Sequence, residues 1–201
     1  MLLGIDEAGR GCLCGSMHVA GVCATKEVAG SWVLAGLKDS KQMKREDRDK
    51  LAERIKEECT CYEIVEIQAG EIDEENIDHL EFKAFLRLIN NTKKIAQEII
   101  IDCPGSRKTW WREFSDVIPE KTNFLKLEHK ADENFPIVSA ASVLAKNARD
   151  FHVDWLGVPN GGYWGDKLKE FLLAEVIKTG KLPDYVRKSW ASVAKLNSEE
   201  S

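Results

Sequence analysis

The chain has no C-x-x-C pair, no long apolar run and no basic leader, and each absence removes a class of protein. Its six cysteines are Cys12, Cys14, Cys23, Cys59, Cys61 and Cys103. None has the spacing of a zinc knuckle. Cys12 and Cys14 stand two apart, as do Cys59 and Cys61, so in extended backbone each pair shares a face. Cysteine usage of this kind points to free thiols in a reducing compartment. The four histidines, His18, His79, His129 and His152, show no ligand spacing. No apolar stretch is long enough to span a bilayer. The opening Met1-Leu2-Leu3-Gly4-Ile5-Asp6 meets acid almost at once and lacks the basic region of a signal peptide. A cytoplasmic protein without a membrane partner is expected. An excess of basic charge is also missing: the formal net charge is −5. That argues against a general nucleic-acid coat protein and leaves room for an enzyme with a local basic groove.

What is present is an ordinary globular composition, 43% apolar over 201 residues. That length suits one domain and can bury a core without disulfide staples. Met1 to Ile5 reads as a buried strand closing on acid. Met17 to Thr25 is a second strand, and Cys59 to Ala69 a third, with a charged surface helix over Lys44 to Glu58 between them. The three strands suggest an antiparallel meander. Ile72 to Ile89 has helical spacing. Glu98 to Asp102 is a continuous apolar strand closed by acid, of the kind buried in parallel sheets. Asn123 to Glu128 is a weaker strand. A long helix is expected from Asn134, with Asn134 as its cap and Pro136 in its first turn. Asp166 to Lys178 is another helix, stopped by Gly180 and Pro183. The fold class is therefore α/β: a mixed five-stranded sheet, its first three strands antiparallel, with helices on both faces and a small C-terminal helical region. Residues 1–155 form the main domain on this reading, and 156–201 a C-terminal helical region that does not fold by itself.

Acids interrupt apolar or loop context at Asp6-Glu7, Asp102 and Asp132. Carboxylates gathered in one cleft repel and resist joint ionisation. A hard divalent cation removes that conflict, and oxygen-only ligands suit magnesium or manganese. Spacing alone leaves an ordinary strand-end carboxylate as an equal alternative.

The segment Gly4-Ile5-Asp6-Glu7-Ala8-Gly9-Arg10-Gly11 resembles the opening motif of ribonuclease HII. Further segments match in order: Leu37-Lys38-Asp39-Ser40-Lys41, Ile99-Ile100-Ile101-Asp102, Lys130-Ala131-Asp132 with the stretch Ile137 to Asp150, and finally Gly162-Tyr163 and Arg187-Lys188-Ser189-Trp190. The resemblance covers nearly the whole chain. It implies an RNase H-like fold and a metal-dependent endoribonuclease. Its partners would be RNA–DNA hybrids and ribonucleotide-containing duplex DNA. Cleavage would fall in the RNA strand of the hybrid, and 5′ of single ribonucleotides in DNA, leaving 5′-phosphate and 3′-hydroxyl ends. It implies Asp6, Glu7, Asp102 and Asp132 as catalytic metal ligands for two Mg²⁺ or Mn²⁺ ions, with Asp6 the candidate shared ligand. Two cations roughly 3.5–4 Å apart can activate a water and stabilise a leaving oxygen. Gly9, Arg10 and Gly11 would read the ribose, and Tyr163 would stack on the sugar. Lys41, Lys146, Arg149, Arg187 and Lys188 are phosphate-contact candidates. A monomer is expected.

The sequence departs from the family pattern at Cys12 and Ser16, where proline is usual, and at Val186, where histidine is usual. The stretch from Asp150 to Tyr163 is short, which places Tyr163 in question relative to the acids. A start at the catalytic strand favours this type over the related ribonuclease HIII. The rival readings are an RNase H-like nuclease acting on plain DNA and a non-catalytic nucleic-acid-binding module. The second is disfavoured because all four acids are retained.

Overall fold

The structure, a computed structural model, describes residues 1–38, 40, 43–92 and 95–197. Five strands form one mixed sheet: β1 (Leu2–Ala8), β2 (Met17–Ala24), β3 (Cys61–Ile67), β4 (Glu98–Asp102) and β5 (Leu125–Glu128). Their order is β3-β2-β1-β4-β5. The pairs β1–β2 and β2–β3 are antiparallel, while β1–β4 and β4–β5 are parallel. β1 is thus the central strand, and its carboxyl end lies beside that of β4. Polar sites gather at such ends because the strands stop there and loops open a crevice.

The helices are α1 (Lys26–Leu34), α2 (Arg45–Glu58), α3 (Ala69–Glu74), α4 (Ile77–Thr92), α5 (Arg107–Val117), α6 (Ala131–Asn134), α7 (Pro136–Leu156), α8 (Asp166–Thr179) and α9 (Ala191–Asn197). Strand alternation sorts the core into two layers. Leu3 and Ile5 of β1, with Met17 and Val19 of β2, face Phe85 and Leu88 of α4 and Trp110 and Phe114 of α5. Ala20 and Val22 of β2 face Val138, Ala141 and Leu144 of α7, with Trp32 of α1 and Ile55 of α2 closing that side. A third cluster joins Leu13 and Cys14 to Val153, Leu168, Leu172, Val186, Val193 and Leu196.

Gly4 explains how closely α7 approaches the sheet. A Cβ built there would lie 2.3 Å from the Ile137 carbonyl oxygen and 2.7 Å from the Val138 amide nitrogen. Only a residue without a side chain lets the start of α7 rest on β1.

Several expectations change. The stretch Ile72 to Ile89 is two helices, α3 and α4, separated by Glu75, which is extended at φ −133° and ψ 155°. Asn134 does not cap the long helix. It ends α6, its amide donates to the Lys130 carbonyl at 3.1 Å, and Phe135 takes the cap position of α7. The β2–β3 connection holds α1 as well as the expected surface helix, α2. α1 was not expected because it buries only Ala29 and Trp32, too few for a stripe; its Thr25 cap accepts from the Val28 amide. α5 likewise buries only Trp110 and Phe114. No helix among the described residues is long and apolar enough to cross a membrane.

Candidate active site

Three acids meet at the carboxyl ends of β1 and β4. Asp6 lies in β1 on the face covered by α7, Asp102 ends β4, and Asp132 sits in α6. The turn into α6 is set by Lys130, which adopts φ 55°, and by the Ala131 amide, which donates to Asp102 Oδ1 at 3.2 Å. One carboxylate oxygen from each of Asp6, Asp102 and Asp132 lies within 4.8 Å of the others. Asp6 and Asp132 are buried and Asp102 partly so. Burial pushes the Asp6 carboxyl well above its ordinary range, and the charges of Glu7 and Asp102 push the same way. Such a group is at ease either protonated or beside a cation.

Glu7 follows Asp6 along β1, so its Cβ starts on the face of Glu81 and α4, and it is not one of the convergent trio. Its carboxylate nonetheless comes within hydrogen-bonding reach of that of Asp6. It borders the same cavity, about 270 Å³, which Asp6, Asp102, Gly9, Arg10, Gly11, Ser40, Ser142, Lys146 and Tyr163 also line. Behind it lies Glu81 of α4, fully buried, whose pKa is pushed up to about 8 by burial and then by Glu7. Arg10 is ion-paired to both Glu81 and Asp78. Sequence reasoning missed Glu81, and also Ser40 and Ser142. The two serine hydroxyls are 2.9 Å apart, and Ser142 also hydrogen-bonds Asp6, which favours its charged form. The available signal was a serine on the buried, otherwise apolar face of α7.

The basic candidates separate into distinct roles. Lys146 lines the cavity, with Nζ donating to Asp150 at 2.7 Å, and burial lowers its pKa. Arg149 is buried. It donates to Cys12 Sγ at 3.0 Å and the Gly161 carbonyl at 2.7 Å, pairs with Asp150, and lies over the Tyr163 ring at 4.9 Å. It supports Tyr163 from beneath and is not presented to solvent. Arg187 is fully buried. Its guanidinium donates to the carbonyls of Arg10 at 2.6 Å, Gly9 at 2.7 Å and Gly15 at 3.1 Å, and lies 5.0 Å over Trp190. Burial pushes its pKa down to about 10. The expected surface contact is therefore an internal brace of the Gly9–Gly11 loop. Lys188 is exposed; its backbone amide donates to Asp73 and its Nζ to Asp184. Lys41 lies outside the described residues.

Tyr163 lines the same cavity as Asp6 and Asp102, so the short stretch before it still delivers the ring there. Gly162 makes this possible. Its carbonyl accepts from the amides of Leu13 and Cys14, and a Cβ on it would sit 2.4 Å from the Cys14 carbonyl oxygen. Cys12, in the place of a usual proline, instead accepts the Arg149 hydrogen bond. Val186 is buried in the third apolar cluster.

The family model of ribonuclease HII matches residues 3–193. The chain belongs to the ribonuclease HII family. It is 36% identical over 211 residues to a ribonuclease HII of Methanococcus maripaludis strain C6, covering 99% of this chain and 88% of that one. The ribonuclease HII of Archaeoglobus fulgidus, solved in complex with PCNA, superposes with a TM-score of 0.83 at 32% identity, over 98% of this chain and 96% of that one. The ribonuclease H2 of Pyrococcus horikoshii gives a TM-score of 0.85 at 28% identity, over 98% and 97%. The mixed sheet with its antiparallel first three strands is thus an RNase H-like fold, and family membership makes the chain a nuclease, a hydrolase of the ribonuclease H type.

Proposed function

We propose that this chain is a metal-dependent endoribonuclease that cleaves the RNA strand of RNA–DNA hybrids and incises 5′ of single ribonucleotides in duplex DNA, leaving 5′-phosphate and 3′-hydroxyl ends. The observation that carries the reading is the convergence of Asp6, Asp102 and Asp132, two of which, Asp6 and Asp102, line one cavity with the Gly9–Gly11 loop and Tyr163. The donor set fits a hard cation: it is oxygen-only, crowded, and holds a carboxyl whose pKa is raised by burial and by its neighbours' charge. When bound, two Mg²⁺ or Mn²⁺ ions held by Asp6, Asp102, Asp132 and Glu7 supply positive charge for an attacking water and a departing 3′-oxygen.

The chain's own residues do the rest. Ser142 orients the Asp6 carboxylate. Lys146 offers a positive charge at the cavity wall for a phosphate. The 2′-hydroxyl separates RNA from DNA, so something in the cavity must sense it. Gly11 is exposed, and the Tyr163 ring stands 3.9 Å from where its Cβ would be. Loop and ring thus form two walls of one cavity. The carbonyls of Gly9 and Arg10 are held by Arg187, which fixes the loop before substrate arrives.

The test is cleavage of three matched substrates: an RNA–DNA hybrid, a DNA duplex with one embedded ribonucleotide, and an all-DNA duplex, with Mg²⁺, Mn²⁺ or EDTA. The expected outcome is cut hybrid and cut ribonucleotide junction, intact DNA, and no turnover in EDTA. Equal cutting of all-DNA duplex, or unchanged turnover in EDTA, would overturn the reading.

A further inference from the structure

A second cluster of ligand-bearing side chains lies away from the acids. His18 is the second residue of β2, and Glu66 is its directly paired neighbour on β3, so both side chains leave the sheet on the same face. His152 reaches them from α7, with its ring 5.6 Å from that of His18. One ligand atom of each residue lies within 4.8 Å of the others. The pair His152 Nδ1 and Glu66 Oε1 is already 3.5 Å apart; two ligands ~2.0–2.2 Å from a tetrahedral ion are separated by roughly the same amount. Ser16 steadies the group: its hydroxyl donates to Glu66 Oε1 at 2.7 Å and lies 3.4 Å from His152 Nε2.

Hydrogen bonding within the protein leaves this cluster incomplete. His18 is only 5% exposed, and its Nδ1 has no hydrogen-bond partner of good geometry among the described residues, the backbone of Ser16 being the polar group near the ring. A buried ring nitrogen with no well-formed hydrogen bond is costly. Burial also keeps the ring neutral, pushing its pKa down to about 4, so its lone pair is available. Glu66 and His152 are partly open to solvent, which leaves an entry path.

We propose that His18, Glu66 and His152 form a binding site for a transition-metal cation of the zinc class, separate from the carboxylate centre. Two imidazole nitrogens and one carboxylate suit Zn²⁺, whereas Mg²⁺ prefers oxygen donors throughout. The ion would tie the β2–β3 edge to α7. It would also anchor Ser16, the residue just before β2, and so the far end of the loop that begins at Gly9.

The test is titration of the tag-free, metal-stripped full chain with Co²⁺ as a visible probe, and with Zn²⁺ by calorimetry and thermal melting. We expect one equivalent of Co²⁺ with the intense visible bands of four-coordination, and a Tm raised by Zn²⁺. His152→Ala and Glu66→Gln, both at partly exposed positions, should each weaken this binding by about 10–100-fold or more, the loss that even an outer hydrogen-bond partner can cause. Asp102→Asn should leave it intact. Bands unchanged in His152→Ala, bands lost in Asp102→Asn, or no stoichiometric Co²⁺ binding would each overturn the proposal.

Discussion

Asp6 is buried beside two other carboxylates, and its charge is costly unless a cation offsets it. Asp6→Asn should therefore lower cleavage by about 10²–10³-fold or more, the scale of one preorganised electrostatic group, while duplex binding in a gel assay survives. A fully active variant would refute the role. The same substitution has a thermodynamic signature in EDTA. The folded-state pKa of Asp6 lies above its unfolded value, so the folded protein holds the extra proton. The resulting stability is fully present below the unfolded pKa of about 4 and is lost as pH rises through the folded pKa. At neutral pH, metal-free wild type should melt below Asp6→Asn, and the gap should close as pH falls toward about 4. Mg²⁺ should raise the wild-type Tm more than that of the variant. At the other end of the loop, Arg187→Met would leave the carbonyls of Gly9, Arg10 and Gly15 without this donor. A buried acceptor left unmade costs ~1–3 kcal/mol, so a loss of roughly 3 kcal/mol or more in urea unfolding is expected. A Tm within a degree or so of wild type would show that solvent replaces the brace.

At the scale of elements, β1 and α7 carry the site between them. β1 supplies Asp6 and Glu7, and α7 supplies Ser142, Lys146 and Arg149 from successive turns. Their spacing rests on Gly4, over which the backbone of α7 passes. Gly4→Ala should force the helix outward, costing ~1–3 kcal/mol as overpacking does, and should lower cleavage although residue 4 touches no substrate. Wild-type stability and rate would contradict this contact. Long, strongly patterned elements were legible beforehand: β4 matches its apolar run residue for residue, and α7 buries Ile137, Ala140, Ala141 and Leu144 of its periodic stripe, while Ala148 is half-buried and Phe151, at the end of the stripe, is exposed. Short helices were not. α1 and α5 each bury only two residues, so their form depends on what they pack against.

At the scale of the whole molecule, the C-terminal residues close a core that begins near the N-terminus. Leu13 and Cys14 share a cluster with Leu168, Leu172, Val186 and Leu196, and Arg187 reaches back to the first loop. We propose that residues 156–201 have no independent fold. A fragment of those residues should show little helix by circular dichroism, and residues 1–155 alone should aggregate or lose cleavage. A cooperative melt of the isolated C-terminal fragment would argue for a separate domain.

The residue types and their order were enough to nominate Asp6, Glu7, Asp102, Asp132, the Gly9–Gly11 loop and Tyr163, because motif order and strand-end acids are properties of a linear chain. Three matters needed the tertiary structure. Glu7 starts on the opposite face of β1 from Asp6, yet its carboxylate reaches back to Asp6 and the shared cavity, which alternation alone does not give. Arg149 and Arg187 are internal braces, because their guanidiniums meet backbone carbonyls before they meet solvent. Histidines 134 residues apart in sequence, His18 and His152, meet over Glu66. Burial and convergence depend on which surfaces pack together, and packing brings together residues whose separation along the chain carries no trace of their contact.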